Sequence, residues 1–316
     1  MAEAASTSGA IRSRGDLRGD PRRQRRERIV RTTMLSAAVF SVLISLAIVF
    51  ALTGGAVDFL RRLDDLGLLF SPQGWFPRSN AFDVRAIFVG SLIVSIIAML
   101  VAAPLGLGAA MYLSEFAKPR ARRFLKPILE TLASVPSVVM GFFALRFISP
   151  EIVQSLFPQA EFFNALAAGI GVGLLVTPLV ASVAEDAMHA VPNALREASF
   201  GLGARRRLTS TRVVFPAAVS GITAALILGI SRAIGETMIV AIAAGGTSGT
   251  TIHLDPLVGT QTMTAAITAL ATGSDQVRGA GPAYYSFFFV GILLFLMTLS
   301  LNLISERFVR RIRSQY

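Results

Sequence analysis

The chain contains no cysteine, which excludes disulfides and thiolate-bound metals outright. Its two histidines, His189 and His253, stand apart with no ligand-like neighbours, so no metal site is expected. Lysine is nearly missing: Lys118 and Lys126 are the only two, and neither follows a glycine. A P-loop needs Gly, four residues, then Gly-Lys and Ser or Thr, so that backbone amides and the lysine hold phosphates. The chain is therefore not expected to hydrolyse ATP by that route. No Ser-His-acid set and no paired carboxylates stand out either, so the expectation is a non-catalytic protein without catalytic residues or cofactors.

Charge is scarce too, at 16% of residues, while 53% are hydrophobic. Six long apolar runs hold most of that excess, and ordinary soluble domains do not repeat uncharged runs of about 20 residues. The reading is an all-α integral membrane protein with six transmembrane helices. Spans are expected at about Met34–Leu52, ending at Thr53-Gly54-Gly55, then Ala86–Leu113, Ile128–Ile148 with a kink at Pro136, and Ala165–Ala184. The fifth is the apolar run Val213–Ala244 and the sixth Tyr284–Ile304. Gly169, Gly171 and Gly173 imitate a dinucleotide loop, but no strand precedes them, so helix packing is expected. Trp75 and Phe76, in a first outer loop from Ala56 to Arg85, suit the membrane interface.

The net charge of +11 is unevenly spread. Nine arginines lie between Arg12 and Arg31, five basic residues between Lys118 and Lys126, five from Arg196 to Arg212 and four from Arg307 to Arg313. The intervening loops hold five: Arg61, Arg62, Arg78, Arg85 and Arg278. By the positive-inside bias, both termini of a multi-pass membrane protein are expected in the cytoplasm. Residues 1–31 read as a basic tail near anionic lipid, disordered because Ser, Gly and Pro interrupt it, and residues 32–316 as the six-helix domain. A nucleic-acid partner is the weaker reading of such a tail.

Two features carry a function. Within the fifth run, Arg232 and Glu236 are four residues apart and share a helix face. Charge at membrane depth is costly, so such a pair either braces packing or lines a polar route. An arginine fork suits oxyanion oxygens, and Glu236 would keep the anion from being trapped; Thr237 is a weaker lining candidate. Arg146, near the outer end of its span, is expected to snorkel. Before the fifth run, Pro192 opens a polar segment in which Glu197 favours an early helical turn and Gly201 and Gly203 permit a turn or close approach.

That segment resembles the EAA loop of ABC-importer permeases: Glu197, Ala198 and Ser199, three residues, Gly203, nine residues, then Val213 to Pro216. Ser199, Val213 and Phe215 depart mildly from the pattern. The strings Ser231 to Met238, the passage through Pro104 to Phe116, ASVPSVVMGFF and GTQTMTAAI are similar to the PstC family of phosphate permease subunits, over roughly Phe82 to Ile304. The resemblance implies a MetI-like fold with a coupling loop at about residues 185–216, in which Arg196, Glu197, Ala198, Ser199 and Gly203 serve ATPase coupling. It implies a PstA-like permease partner, a PstB-like ATPase dimer that binds the ATP, a phosphate-binding protein and inorganic phosphate as substrate. A permease for another oxyanion, molybdate or sulfate, and a membrane scaffold that senses phosphate remain the alternatives.

Overall fold

The structure, a computed structural model, describes residues 21–245, 250–271 and 281–313. The first twenty residues of the expected tail, and Arg278, lie outside them. The chain falls into two compact units, residues 1–51 and 52–316. Helix α1, Pro21–Arg62, starts ahead of the expected first span and runs past its expected end. Beyond Pro21 the sequence is rich in arginine, a good helix former, with no glycine until Gly54. From residue 25 to residue 50 its side chains are almost all exposed.

Gly54 and Gly55 do not end the helix. A Cβ on Gly55 would stand 2.3 Å from the Phe288 ring, so this glycine admits an aromatic side chain of the last helix. Helix α1 continues to Arg62, whose guanidinium lies over the Tyr285 ring. Trp75 is not at an exposed interface. A short hairpin pairs Trp75 with Phe82 and Phe76 with Ala81, and Trp75 bridges to Thr250. Phe82 stacks edge-on against both Trp75 and Phe59, burying all three.

Helix α2 spans Val84–Phe116, opened by Asp83, whose carboxylate accepts from the Arg85 amide. Helix α3, Pro119–Leu132, occupies what was expected as a basic loop and the start of the third span. The span itself is α4, Ser137–Leu156, and it carries Glu151, expected in the loop beyond. Pro136 separates α3 from α4 rather than kinking one helix: it is extended and offers no amide to continue the ladder. Helix α5, Ala165–His189, starts from an Asn164 cap and runs five residues past its expected end. Its glycines are packing sites, as their context suggested. A Cβ on Gly169 would meet Ile97 and one on Gly173 the Ala98 carbonyl, both on α2.

Then follow the short helix α6, Asn193–Gly201, and a bent pair: α7, Arg206–Ala217, and α8, Val219–Ile234, at 72°. The fifth span is therefore not one straight helix. It bends at Ala218, breaks again across Gly235–Thr237 and resumes as α9, Met238–Ala243. Five described helices are long and apolar enough to cross a membrane, and the bent pair makes a sixth.

The segment from Gly245 to Ala283, expected as a third outer loop that includes GTQTMTAAI, also departs from expectation in its described part. Residues 256–262 return into the protein and lead to the buried helix α10, Met263–Ala271. Bare backbone inside a membrane protein must find partners there. Ala165 donates to the Val258 carbonyl at 3.1 Å, Thr260 to Ala244 at 2.9 Å, and Met263 to the Ser91 hydroxyl at 2.9 Å. The last helix is α11, Pro282–Arg313, tied to α8 by the Ser231 hydroxyl donating to Asn302 at 2.9 Å.

Gly90 on α2 is where this returning segment passes closest. A Cβ there would stand 2.5 Å from the Gln261 carbonyl, whereas one on Gly108 meets nothing within 4 Å. Gly90→Ala should therefore destabilise by about 1–3 kcal/mol, as overpacking does. Gly108→Ala should be neutral or gain up to about 1 kcal/mol of helix propensity. Melting midpoints of the detergent-purified proteins check this, and equal midpoints would contradict the close approach.

Candidate functional site

At membrane depth the sequence builds a discontinuity. Gly235 ends α8 without a side chain, and Thr237 precedes the first turn of α9. Between them Glu236 turns inward and is only 3% exposed. Arg232, in the last turn of α8, reaches it with Nη1 3.2 Å from Glu236 Oε2, yet its own side chain is 49% exposed. The two charges are thus unequal partners. The carboxylate is enclosed and paired with one nitrogen of the guanidinium, while the arginine side chain is about half exposed.

The returning segment closes the back of this break. The Thr264 hydroxyl donates to the Glu236 carbonyl at 2.9 Å and lies 3.0 Å from the Thr262 hydroxyl. Thr260, Gln261, Thr262 and Thr264 are all buried. Thr237 is half-buried, with its hydroxyl donating to the Gly235 carbonyl at 3.3 Å. The sequence reading found Arg232, Glu236 and Thr237. It had GTQTMTAAI only as a stretch of outer loop, because threonines spaced along a polar string do not advertise burial.

Arg146 is exposed on α4, three residues before Ser149. Ser149 donates to the Phe162 carbonyl and accepts from Asn164, the residue capping α5. Arg146 was expected near the outer end of its span, but α4 runs ten residues past it to Leu156, which puts it at mid-helix.

The opposite, arginine-rich end carries the second constellation. Pro192 precedes α6, and Gly203 ends the turn after it at φ 78, a left-handed conformation that glycine adopts without strain. Glu197 and Ala198 are exposed on α6, and Leu202 is 90% exposed at its end. Arg196 turns inward. Its Nη2 lies 2.8 Å from Glu115 Oε1 at the end of α2, and it donates to the carbonyls of Val191 at 2.6 Å and Met188 at 2.9 Å. A cation here satisfies the open carbonyls at the end of α5. Ser199 also points inward, its hydroxyl 2.9 Å from that of Thr209 on α7. Of the five residues expected to serve coupling, Glu197, Ala198 and Gly203 are presented outward. Arg196 and Ser199 fasten the helix to its neighbours.

Two acids escaped the sequence reading. Glu115 looked like the tail of an apolar run, and Glu185 was placed just beyond a span, whereas both are buried. Glu185 is fully enclosed, bonded to Arg122 and, at 2.6 Å, to Lys126; Lys126 also reaches Asp186 at 2.7 Å. Hydrogen bonds to Asp186 and then Glu185 raise the Lys126 ammonium above its ordinary range. A raised lysine pKa contributes stability that is complete below the ordinary value and fades only at higher pH, so this contact holds throughout the neutral range. The available signal was two cations four residues apart, Arg122 and Lys126, and the adjacent acids Glu185 and Asp186, which only the tertiary fold brings together.

Comparison with known proteins identifies the family and the fold. The family described as binding-protein-dependent transport system inner membrane component matches residues 102–314. The probable ABC transporter permease protein YqgH of Bacillus subtilis (strain 168) is 36% identical over 55% of this chain, which spans 56% of that relative. The phosphate transport system permease protein PstC of Mesorhizobium japonicum is 29% identical over 92% of this chain and 95% of its own length. A solved bacterial ABC transporter involved in the import of the acidic polysaccharide alginate aligns over 91% of this chain and 99% of its own, with a TM-score of 0.63. At 17% identity, that likeness shows the fold.

The inward turn of Arg196 has a measurable consequence. Arg196→Ala strands Glu115 and uncaps two carbonyls, and truncating one partner of a buried pair costs about 3–5 kcal/mol. Glu197→Ala removes an exposed side chain and should stay within about 0.5 kcal/mol. Hydrogen exchange over residues 193–201 should rise sharply in the first variant only. Equal exchange in the two would show that Arg196 does not hold the helix.

Proposed function

The chain belongs to the binding-protein-dependent transport inner membrane component family, and from that premise we propose that it is the permease subunit of an ATP-driven inorganic phosphate importer. It is a multi-pass protein of the inner membrane. The excess of arginine at one end supports placing that end, and both termini, in the cytoplasm. A second, PstA-like permease completes the path, a PstB-like ATPase dimer binds and hydrolyses the ATP, and a phosphate-binding protein delivers the anion.

Helix α6 is the element that meets the ATPase. Its outward residues Glu197, Ala198 and Gly203 supply the contact surface, while Arg196 and Ser199 carry its displacement into α2 and α7. Because α7 is joined to α8 at a 72° bend, a push on α7 moves the helix that ends in Arg232. ATP binding switches the pair of permeases from inward- to outward-facing, and hydrolysis resets it.

The observation that carries the transport reading is the unequal exposure of the membrane-depth pair, 49% for Arg232 against 3% for Glu236. A pair that only braced packing would bury both members, since desolvated charge is costly. An open guanidinium fork presents planar donors to two oxyanion oxygens, and the enclosed carboxylate reduces the net attraction, so a phosphate is held and then released. Thr237, at the next helix start, offers a hydroxyl beside the same opening.

Phosphate uptake by the complete transporter in proteoliposomes tests the assignment. Arg232→Lys keeps the charge but loses the fork, and Glu236→Gln removes the counter-charge. Each should assemble at normal abundance yet lower uptake by about tenfold or more, equivalent to a loss of about 1.4 kcal/mol. Molybdate and sulfate should not compete. Normal uptake in both variants would remove the pair from the path. Strong competition would make the protein a permease for another oxyanion. Phosphate-responsive signalling without any uptake would make it a scaffold.

A further inference from the structure

Helix α3 has two faces with different duties. On one, Arg122 and Lys126 are tied to Glu185 and Asp186 of α5, which fixes how the helix is rolled. On the other, Arg120, Phe124, Ile128 and Leu132 follow at intervals of four. That spacing puts them along one flank of a helix. The apolar members are open: Phe124 is 69% exposed, Leu132 50% and Ile128 41%.

We propose that α3 is an interfacial helix whose Phe124–Ile128–Leu132 flank inserts into an anionic phospholipid surface at the arginine-rich end of the protein. The inference rests on the protein spanning a membrane and is indifferent to whether phosphate is the substrate. Three observations support it. First, the chain leaves α2 at Phe116 and enters α4 at Ser137, and only Ala117 and Lys118 precede α3. Two residues reach about 7 Å, so α3 starts at the membrane edge. Second, its 14 residues extend about 21 Å, enough to lie along that edge.

Third, the charge is ordered along the helix. Lys118, Arg120 and Arg123 are exposed around its start, and exposed apolar residues follow at Phe124, Ile128 and Leu132. This is the arrangement that sets cations among anionic headgroups while the later turns sink toward the acyl chains. Glu130 is the exposed acid of α3 and lies on the flank facing a cleft of about 570 Å³ beside the end of α2, away from the apolar stripe. A protein-binding groove occupant would be expected to meet a broader apolar face than one residue per turn; a headgroup–acyl boundary needs no more.

The cysteine-free sequence makes the test direct. Single cysteines at Ile128→Cys and, as a control, Leu202→Cys would carry a fluorophore in the complete transporter, in phosphatidylcholine vesicles with or without phosphatidylglycerol. Nitroxide-bearing lipids should quench the Ile128 label, by about twofold or more with phosphatidylglycerol present, and leave the Leu202 label bright. Adding Arg120→Glu and Arg123→Glu should reduce quenching to the level seen in phosphatidylcholine alone. Equal quenching in both lipids would overturn the anionic requirement. An unquenched Ile128 label, cross-linking instead to the second permease or the ATPase, would make the flank a protein interface.

Discussion

A polar group in a membrane protein that cannot reach water must find its partner inside the fold, and most of this architecture follows from that demand. Among the described residues four carboxylates, Asp83, Glu115, Glu185 and Glu236, are buried, and each is met by an arginine. The returning backbone of residues 256–263 is met by the start of α5, the end of α9 and the Ser91 hydroxyl. These contacts are where the helices are joined by direction-dependent bonds. Elsewhere glycine-lined packing, as between α2 and α5, sets how closely they approach.

The pairings also form a chain of contacts between the two candidate sites. Arg196 joins α6 to the end of α2, and Ser199 joins it to α7. From α7 the chain bends into α8, which ends at Arg232 beside the break that encloses Glu236. A displacement delivered to α6 therefore has bonded connections to the discontinuity at membrane depth. The asymmetry of the Arg232–Glu236 pair gives that discontinuity a polar opening, and the threonines of the returning segment give it a polar wall.

Much of this was legible in the sequence, and what was not has a common cause. Six apolar runs gave the spans because length and hydropathy act locally, and the spacing from Glu197 to Pro216 marked the segment proposed for coupling. Arg232 and Glu236 stood out as charges inside an apolar run. Helix ends were less visible: Gly54 and Gly55 looked like a stop, but Gly55 admits Phe288, a residue more than two hundred positions away. Pro136 looked like a kink and instead separates two helices. The roles of Glu115, Glu185 and the segment around Thr260–Thr264 depend on partners distant in sequence. Periodicity carries no trace of such contacts.

The central claim is that the break at Gly235–Thr237 meets water and substrate rather than sealed packing, and accessibility at Thr237 tests it most directly. In the complete transporter, Thr237→Cys would be the sole thiol of this chain, exposed to a membrane-impermeant methanethiosulfonate reagent. The account predicts labelling that depends on the nucleotide state of the ATPase and is slowed by phosphate when Arg232 is intact, but not after Arg232→Ala. Absence of labelling in every nucleotide state, while a Leu254→Cys control on an exposed loop reacts fully, would contradict it.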